Sequence, residues 1–416
     1  MIRKSLLAIC VAGISAHAAF AVTPEEVVTN YADIALAGYE DSLTTANALK
    51  VAVDALVAAP SDATLGAAKH AWLAARIPYQ QTEAFRFGNP TVDDWEGKVN
   101  AWPLDEGLID YIASDYGAND ENPFSTVNII ANAKLNAGGA LIDATTITPD
   151  LLESLHELEG IEANVATGYH AIEFLLWGQD LSGTDHGAGM RPASDFNTSN
   201  CTGRNCDRRA QYLIAATDLL ISDLEEAVAN WSEGGQGRTD VTTDAGQGVT
   251  MALTGIGSLS YGEQAGERMK LGLLLNDPEE EHDCFSDNTH NSHYFDGLGI
   301  RNVYTGRYVR IDGSVVEGAS LYDLVKAADG ALADNLLGDM NETMIALGDI
   351  RTAAEAGTSY DQMLGAGHPG GALVQNAIDR LVDQTRNIER AVAVVGAGEI
   401  AVEGSDSLDN PTAVFQ

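Results

Sequence analysis

Thr23 to Leu43 reads TPEEVVTNYADIALAGYEDSL, and its first four residues spell a helix start. Thr23 offers a capping hydroxyl. Pro24 suits the first helical position, where no N–H is needed, and Glu26 can close a capping box back onto Thr23. Apolar residues then return at helical spacing as far as Val53, Leu56 and Val57, so a long helix is expected up to Pro60. The same pattern recurs along the chain. Ser61 caps a second helix, expected to run through ATLGAAKHAWLAARIPYQQTEAFRF to Phe87 with a kink at Pro78. Thr148 and Pro149 open TPDLLESL. Further helices are predicted in GYHAIEFLLW (stopped by Gly178), in DRRAQYLIAATDLLISDLEEAVANW and in VTMALTGIGSLSYGEQAGERMKLGLLL. Two more are expected around Leu321–Ile350 and Ala372–Val395. One hairpin is credible, at YVRIDGSVVEG, where Asp312-Gly313 supplies the turn. The fold class is therefore all-α, as two helical-bundle domains at 22–200 and 201–416, with one small β-hairpin. The clusters YQQTEAFR and YGEQAGER occupy similar places in the two halves, which leaves an internal duplication open.

Residues 1–21 read as a secretory signal peptide. Arg3 and Lys4 precede the apolar core SLLAICVAGISA, and Ala19-Phe20-Ala21 is a small-x-small exit, although Ala16-His17-Ala18 also fits. Cys10 lies inside the apolar core with Ile9 before it, which argues against lipid attachment. No other run approaches the roughly 20 apolar residues of a membrane span. The chain is thus expected to be exported, periplasmic or associated with the cell envelope. Twenty-three Lys and Arg against 61 Asp and Glu give a net charge of −38, and loss of the leader makes it more negative still. Such a charge repels nucleic acid and anionic lipid. Cys201 and Cys206, in CTGRNC, are expected to form a small disulfide loop in an oxidising compartment, leaving Cys284 free. A long loop between Gly178 and Cys206, rich in Gly, Ser, Asp and Asn, reads as functional or as a link between domains.

Within GYHAIEFLLWGQD, His170 and Glu173 stand at i and i+3 on one face of an otherwise apolar helix, and Trp177 continues that face. A buried carboxylate there needs a partner: the imidazole itself, an arginine or a metal ion. The residues alone leave all three open. His156-Glu157 begins like a zinc-protease motif, but Gly160 stands where the second histidine belongs, and Phe174 spoils the inverted version. Glu153-x-x-His156 has no second copy. GIGSLS follows no strand, and no G-x-S-x-G elbow occurs, so an ordinary hydrolase is disfavoured. A second cluster, EEEHDCFSDNTHNSH, carries His282, Asp287, His290 and His293. It reads equally as a metal site or as an exposed polar loop.

Gly168, His170 and Glu173 form a G-x-H-x-x-E motif that resembles the signature of the imelysin family. AWLAARIPYQQTEAFRF, VNAWPLDEGLIDYI, DRRAQYLIAATDLL, GERM, CFSDNTH and RIDGSVVEG are similar to that family's segments in the same order, nearest its iron-regulated, exported branch. The resemblance implies a helical pair of bundle-like domains. It implies either an exported metal binder in iron acquisition or a metallopeptidase of the insulin-cleaving type. His170, Glu173 and Glu83 would hold the metal, with Gly168, Arg86, Asp105, Asp287 and Trp177 in support. Iron is the expected ion, with zinc and copper as alternatives. The partners implied are a metal ion or small metal chelate and a membrane iron-uptake component. A helical receptor for a chelated metal, haem or peptide is a third reading, for which Trp102, Trp177 and Phe285 would line an apolar cleft.

Overall fold

The structure, a computed structural model, describes residues 22–114, 122–137, 139–398 and 400–415. The leader read at residues 1–21, with Cys10, lies outside the described residues. In chain order the helices are α1 (Pro24–Ala58), α2 (Asp62–Gln80), α3 (Pro90–Asn100), α4 (Glu106–Ile109), α5 (Pro149–Leu155), α6 (Gly168–Trp177), α7 (Cys206–Trp231), α8 (Gln236–Thr242) and α9 (Ala245–Ser258). A π-helical stretch, Leu259–Lys270, runs on from α9 into α10 (Leu271–Leu275). Then come α11 (Thr289–Thr305), α12 (Leu321–Ala328), α13 (Gly330–Glu355), α14 (Tyr360–Leu364), α15 (Gly371–Val395) and α16 (Asp406–Asp409). Two antiparallel strand pairs complete the chain: β1 (Lys134–Ala137) with β2 (Ala140–Asp143), and β3 (Arg307–Val309) with β4 (Val315–Glu317).

The fold is all-α with small hairpins. The capping signals act where they stand: Thr23 and Glu26 form a reciprocal box at α1, and Ser61 and Thr64 form one at α2. α2 is shorter than its apolar pattern predicts. It stops at Gln80, and the polar TEAFR becomes a tight turn around Glu83–Phe85, because Glu83 and Arg86 are drawn into ion pairs described below. The helix expected over Leu321–Ile350 is two helices. Asp329 breaks it by turning its carboxylate back to cap the N–H groups of Ala331 and Leu332. The pair β1–β2 has no counterpart in the sequence reading.

Apolar side chains from both halves of the chain share one continuous core. α1 packs on α2, α7 and α9, while α2 also packs on α11. Between α6 and α7 the long loop has only one 3₁₀ turn, Ala193–Phe196. It is pinned from beneath. Asp110 takes Arg209 at 2.6 and 2.8 Å and Arg191 of the loop at 2.9 Å, all three nearly inaccessible to water. Cys201 and Cys206 are disulfide-bonded at the far end of that loop, and Cys284 is a free, half-buried thiol.

Candidate metal centre

α6 is set in place by its neighbours. Trp72 of α2 donates its indole N–H to the Tyr169 carbonyl at 3.0 Å, and Thr167 donates its hydroxyl to the Lys98 carbonyl at 2.9 Å. Gly168 has φ +78° and lies so close to α3 that a Cβ would sit 2.4 Å from the Val99 carbonyl oxygen. The glycine of the motif is thus a backbone and packing requirement that frees α6 to reach the centre of the molecule. Gly168→Ala is expected to destabilise the fold by about 2–4 kcal/mol, since strain and overpacking add at this position. Urea denaturation followed by circular dichroism measures it; a change below ~0.5 kcal/mol would refute this account.

Every residue of α6 is buried, His170 and Glu173 included. His170 Nδ1 faces Glu173 Oε2 at 3.2 Å, while Glu173 Oε1 accepts the backbone N–H of Ser286 at 2.9 Å and its hydroxyl at 2.7 Å. From the other side come two residues more than a hundred positions later. Asp283 lies 3.9 Å from His170 Nδ1, and the rings of His170 and His282 meet edge to face with centroids 4.7 Å apart. One potential ligand atom each from His170, His282 and Asp283 fall within 4.8 Å of one another. His282 is steered there by Trp102, whose indole donates to the neighbouring Glu281 carbonyl at 2.8 Å.

The electrostatics keep both imidazoles neutral. Burial, then the Arg76 guanidinium, lowers His170 to about 3. Burial, then Arg268, holds His282 well below the usual imidazole range. For Asp283, burial alone would raise the carboxyl. Arg76 at 2.8 Å, His170, and hydrogen bonds from Ser292 and Asn288 outweigh it and hold the group below the usual carboxylate range. Burial, reinforced by Asp283, pushes Glu173 up. Neutral His170 Nε2 and both ring nitrogens of His282 are buried with no hydrogen-bond partner. Orphaned buried nitrogens converging beside an ionised carboxylate are what a metal-binding group leaves exposed to its ion. The donor set fits Fe²⁺ or Zn²⁺.

Next to this group lies an ion cluster around Arg268, in the π-helical stretch. Arg268 is essentially inaccessible to water and reaches Glu83 at 2.7 Å, Glu263 at 2.7 Å and Asp296 at 3.1 Å. Arg86 completes it, 3.2 Å from Glu96 and 3.8 Å from Glu263. The two similar polar clusters of the sequence therefore meet here: Glu83 and Arg86 from YQQTEAFR, Glu263 and Arg268 from YGEQAGER. Arg86, Arg268 and His282 form part of the wall of an open cleft of ≈ 550 Å³. Seven carboxylates share its lining with Gly97 and the stretch 100–103: Asp93, Asp94, Glu96, Glu157, Glu162, Glu263 and Glu267. Burial, with Glu83 and Glu263 adding and the arginines opposing, raises Glu96 to about 7.

The structure brings His170 and Glu173 together and sets Glu83 and Arg86 on the neighbouring Arg268 cluster. Asp105 stands at the start of α4 and accepts a hydrogen bond from Asn122. Trp177 packs edge-on against Trp72 in the core, with Lys69 over its ring. Asp287 joins a different group, with Asp180 and Asp361. EEEHDCFSDNTHNSH is not an exposed loop: His282 and His293 are buried, the first against His170 of α6 and the second within the first turns of α11. Asp283, Arg76 and Ser286 had no local signal. For His282 the only sign was its place in a histidine- and acid-rich stretch.

Comparison with known proteins agrees with this architecture. Over 90 residues, 21% of this chain, it is 31% identical to Iron-regulated protein A of Synechococcus elongatus; the match spans a quarter of that relative's length. The fold is similar to that of a solved iron-regulated protein A precursor from Parabacteroides distasonis, with TM-score 0.63 and 18% identity over 89% of this chain and 95% of that one. It is also similar to an imelysin-like protein from Psychrobacter arcticum, with TM-score 0.58 and 17% identity over 92% and 98%. The imelysin family model matches residues 35–388, and the chain belongs to the imelysin family.

Proposed function

We propose that this protein is an exported metal binder serving iron acquisition, in which His170, His282 and Asp283 take up the ion and Glu173 orients His170. The observation that carries the reading is the convergence of two neutral imidazoles, His170 with Nε2 unpartnered and His282 with both nitrogens unpartnered, and an ionised carboxylate from distant segments, beside a cleft lined with acids. Glu173 at His170 Nδ1 plays the part of a carboxylate that fixes a ligating imidazole's tautomer and leaves Nε2 for the ion. Arg76 balances Asp283 and sets its direction. Glu83, expected as a ligand, serves instead as counter-charge to Arg268.

A peptidase would need a carboxylate free to activate water. Glu83 is held by Arg268, and both Glu173 oxygens are engaged by Ser286 and His170. A receptor for haem or an apolar peptide would need an apolar cleft. Trp102 lines the one beside His282, but its other walls are acidic, and Trp177 and Phe285 are buried in the core.

The test is metal analysis of protein purified without chelator, followed by titration of stripped protein with Fe²⁺, Fe³⁺ and Zn²⁺ and a peptide-cleavage assay of the metal-replete form. One equivalent of tightly bound metal and no cleavage is the expected result. Metal-dependent cleavage that survives repurification would overturn the binder reading in favour of the peptidase.

A further inference from the structure

The segment that carries His282 and Asp283 also borders a second cluster, made only of carboxylates. Asp180 comes from the loop after α6, Asp287 from the turn before α11, and Asp361 from α14. One carboxylate oxygen of each lies within 4.8 Å of the others. Asp361 is only 2% exposed, and among the described residues neither of its carboxylate oxygens meets a donor at hydrogen-bond geometry, although the nearby Ser359 hydroxyl and Gln362 N–H favour its charged form. The Ser359 hydroxyl, two residues earlier, turns to Gln362 Oε1 at 3.2 Å instead. Asp287 Oδ1 is likewise buried and unpartnered. A small void of ≈ 10 Å³ is bordered by Asp180, Asp361, Glu279, Glu281, Cys284 and Phe285, with Asp287 outside its lining. Glu281 Oε1 is a further buried oxygen without a partner.

Like charges this close, with Asp361 buried and Asp180 and Asp287 half-buried, favour neutralisation by protons or by a cation. We propose that Asp180, Asp287 and Asp361 bind one hard divalent cation, of the chemistry of Ca²⁺, at a site separate from the His170 group. A spread of up to 4.8 Å between donor oxygens is what one ion with metal–oxygen distances of about 2.3–2.6 Å spans. Donors of this kind favour calcium over softer metals. Burial raises all three carboxyls; Ser182 opposes the rise at Asp180, where Asp361 adds to it, Asp361 and Asp180 add to it at Asp287, and Ser359, Gln362 and then His186 oppose it at Asp361. The inference stands apart from the metal-acquisition reading, because it uses none of that group's side chains.

The test is calorimetric titration of the chelator-stripped full chain with Ca²⁺ at neutral pH, with the thermal midpoint measured alongside. Wild type is expected to take up one equivalent and melt higher with calcium, and His170→Ala to behave the same way. Asp361→Asn and Asp287→Asn should bind calcium at least about 10-fold more weakly, with midpoints that calcium no longer moves. Each asparagine keeps the side chain's size and removes a buried like charge, so both variants should fold, as circular dichroism will show. Absence of saturable calcium uptake by wild type would mean that protons alone neutralise the cluster. That result, or unchanged affinity in both variants, overturns the proposal.

Discussion

His170→Ala and His282→Ala should each cost the protein at least about 100-fold in affinity for Fe²⁺ or Zn²⁺, while circular dichroism stays close to wild type. Either change leaves one imidazole and one carboxylate, too few to hold a divalent ion tightly. Both His282 nitrogens bond nothing among the described residues, whereas His170→Ala also gives up the Nδ1 bond to Glu173 and should cost about 1–3 kcal/mol. Glu173→Gln should fall between, at roughly 10–100-fold, because it disturbs the orientation of His170 without removing a ligand atom. Asp287→Asn should leave transition-metal affinity within about 3-fold, since Asp287 belongs to the other cluster. Isothermal titration against a competing chelator gives all four numbers. Wild-type affinity in His282→Ala would remove this residue from the centre. Wild-type affinity in His170→Ala would reduce the His170–Glu173 pair to a buried hydrogen bond.

The largest loss of stability is expected from Arg268→Met, at about 3–5 kcal/mol near pH 8. Arg268 is the shared cation of Glu83, Glu263 and Asp296, and removing it leaves buried carboxylates facing one another. Asp296 is already pushed well above the usual carboxylate range, first by burial, with Arg268 opposing that rise. Without the arginine its folded-state value climbs further above the unfolded one. The folded variant then binds more protons than the unfolded chain in the mildly acidic range, so its stability rises as pH falls. The penalty should therefore shrink by pH 5. A second change, Glu83→Gln, should restore part of the loss by removing one of the stranded charges. Urea denaturation of the single and double variants at both pH values measures this. A penalty below ~1 kcal/mol, or one that grows on acidification, would mean that the cluster is not what holds α2, the π-helical stretch and α11 together.

What could be read from the sequence was local. Thr23, Ser61 and Thr148 announce helix starts because a cap and its partner lie within three residues. The His170–Glu173 pair was visible for the same reason, being one helical turn apart. The end of α2 was not, because its cause, the hold of Arg268 on Glu83, acts across 185 positions. Asp283 and Ser286 reach α6 across a similar gap, and no spacing rule connects them to it. The π-helical stretch was read as ordinary helix, since an i→i+5 ladder leaves no mark on apolar periodicity. Asp329 followed by Gly330 within a helical pattern is itself a cap signal.

On the proposed reading as a metal binder, the acid-lined cleft would sort the forms in which a metal arrives. Seven carboxylates against Arg86 and Arg268 give its mouth a negative field, which concentrates small hydrated cations and speeds their arrival at low ionic strength. The same field turns away citrate, phosphate and other anionic chelates, whose net charge opposes that of the walls. Uptake should accordingly slow as salt screens the cleft, and iron offered as an anionic complex should have to shed its ligand before it passes the rim.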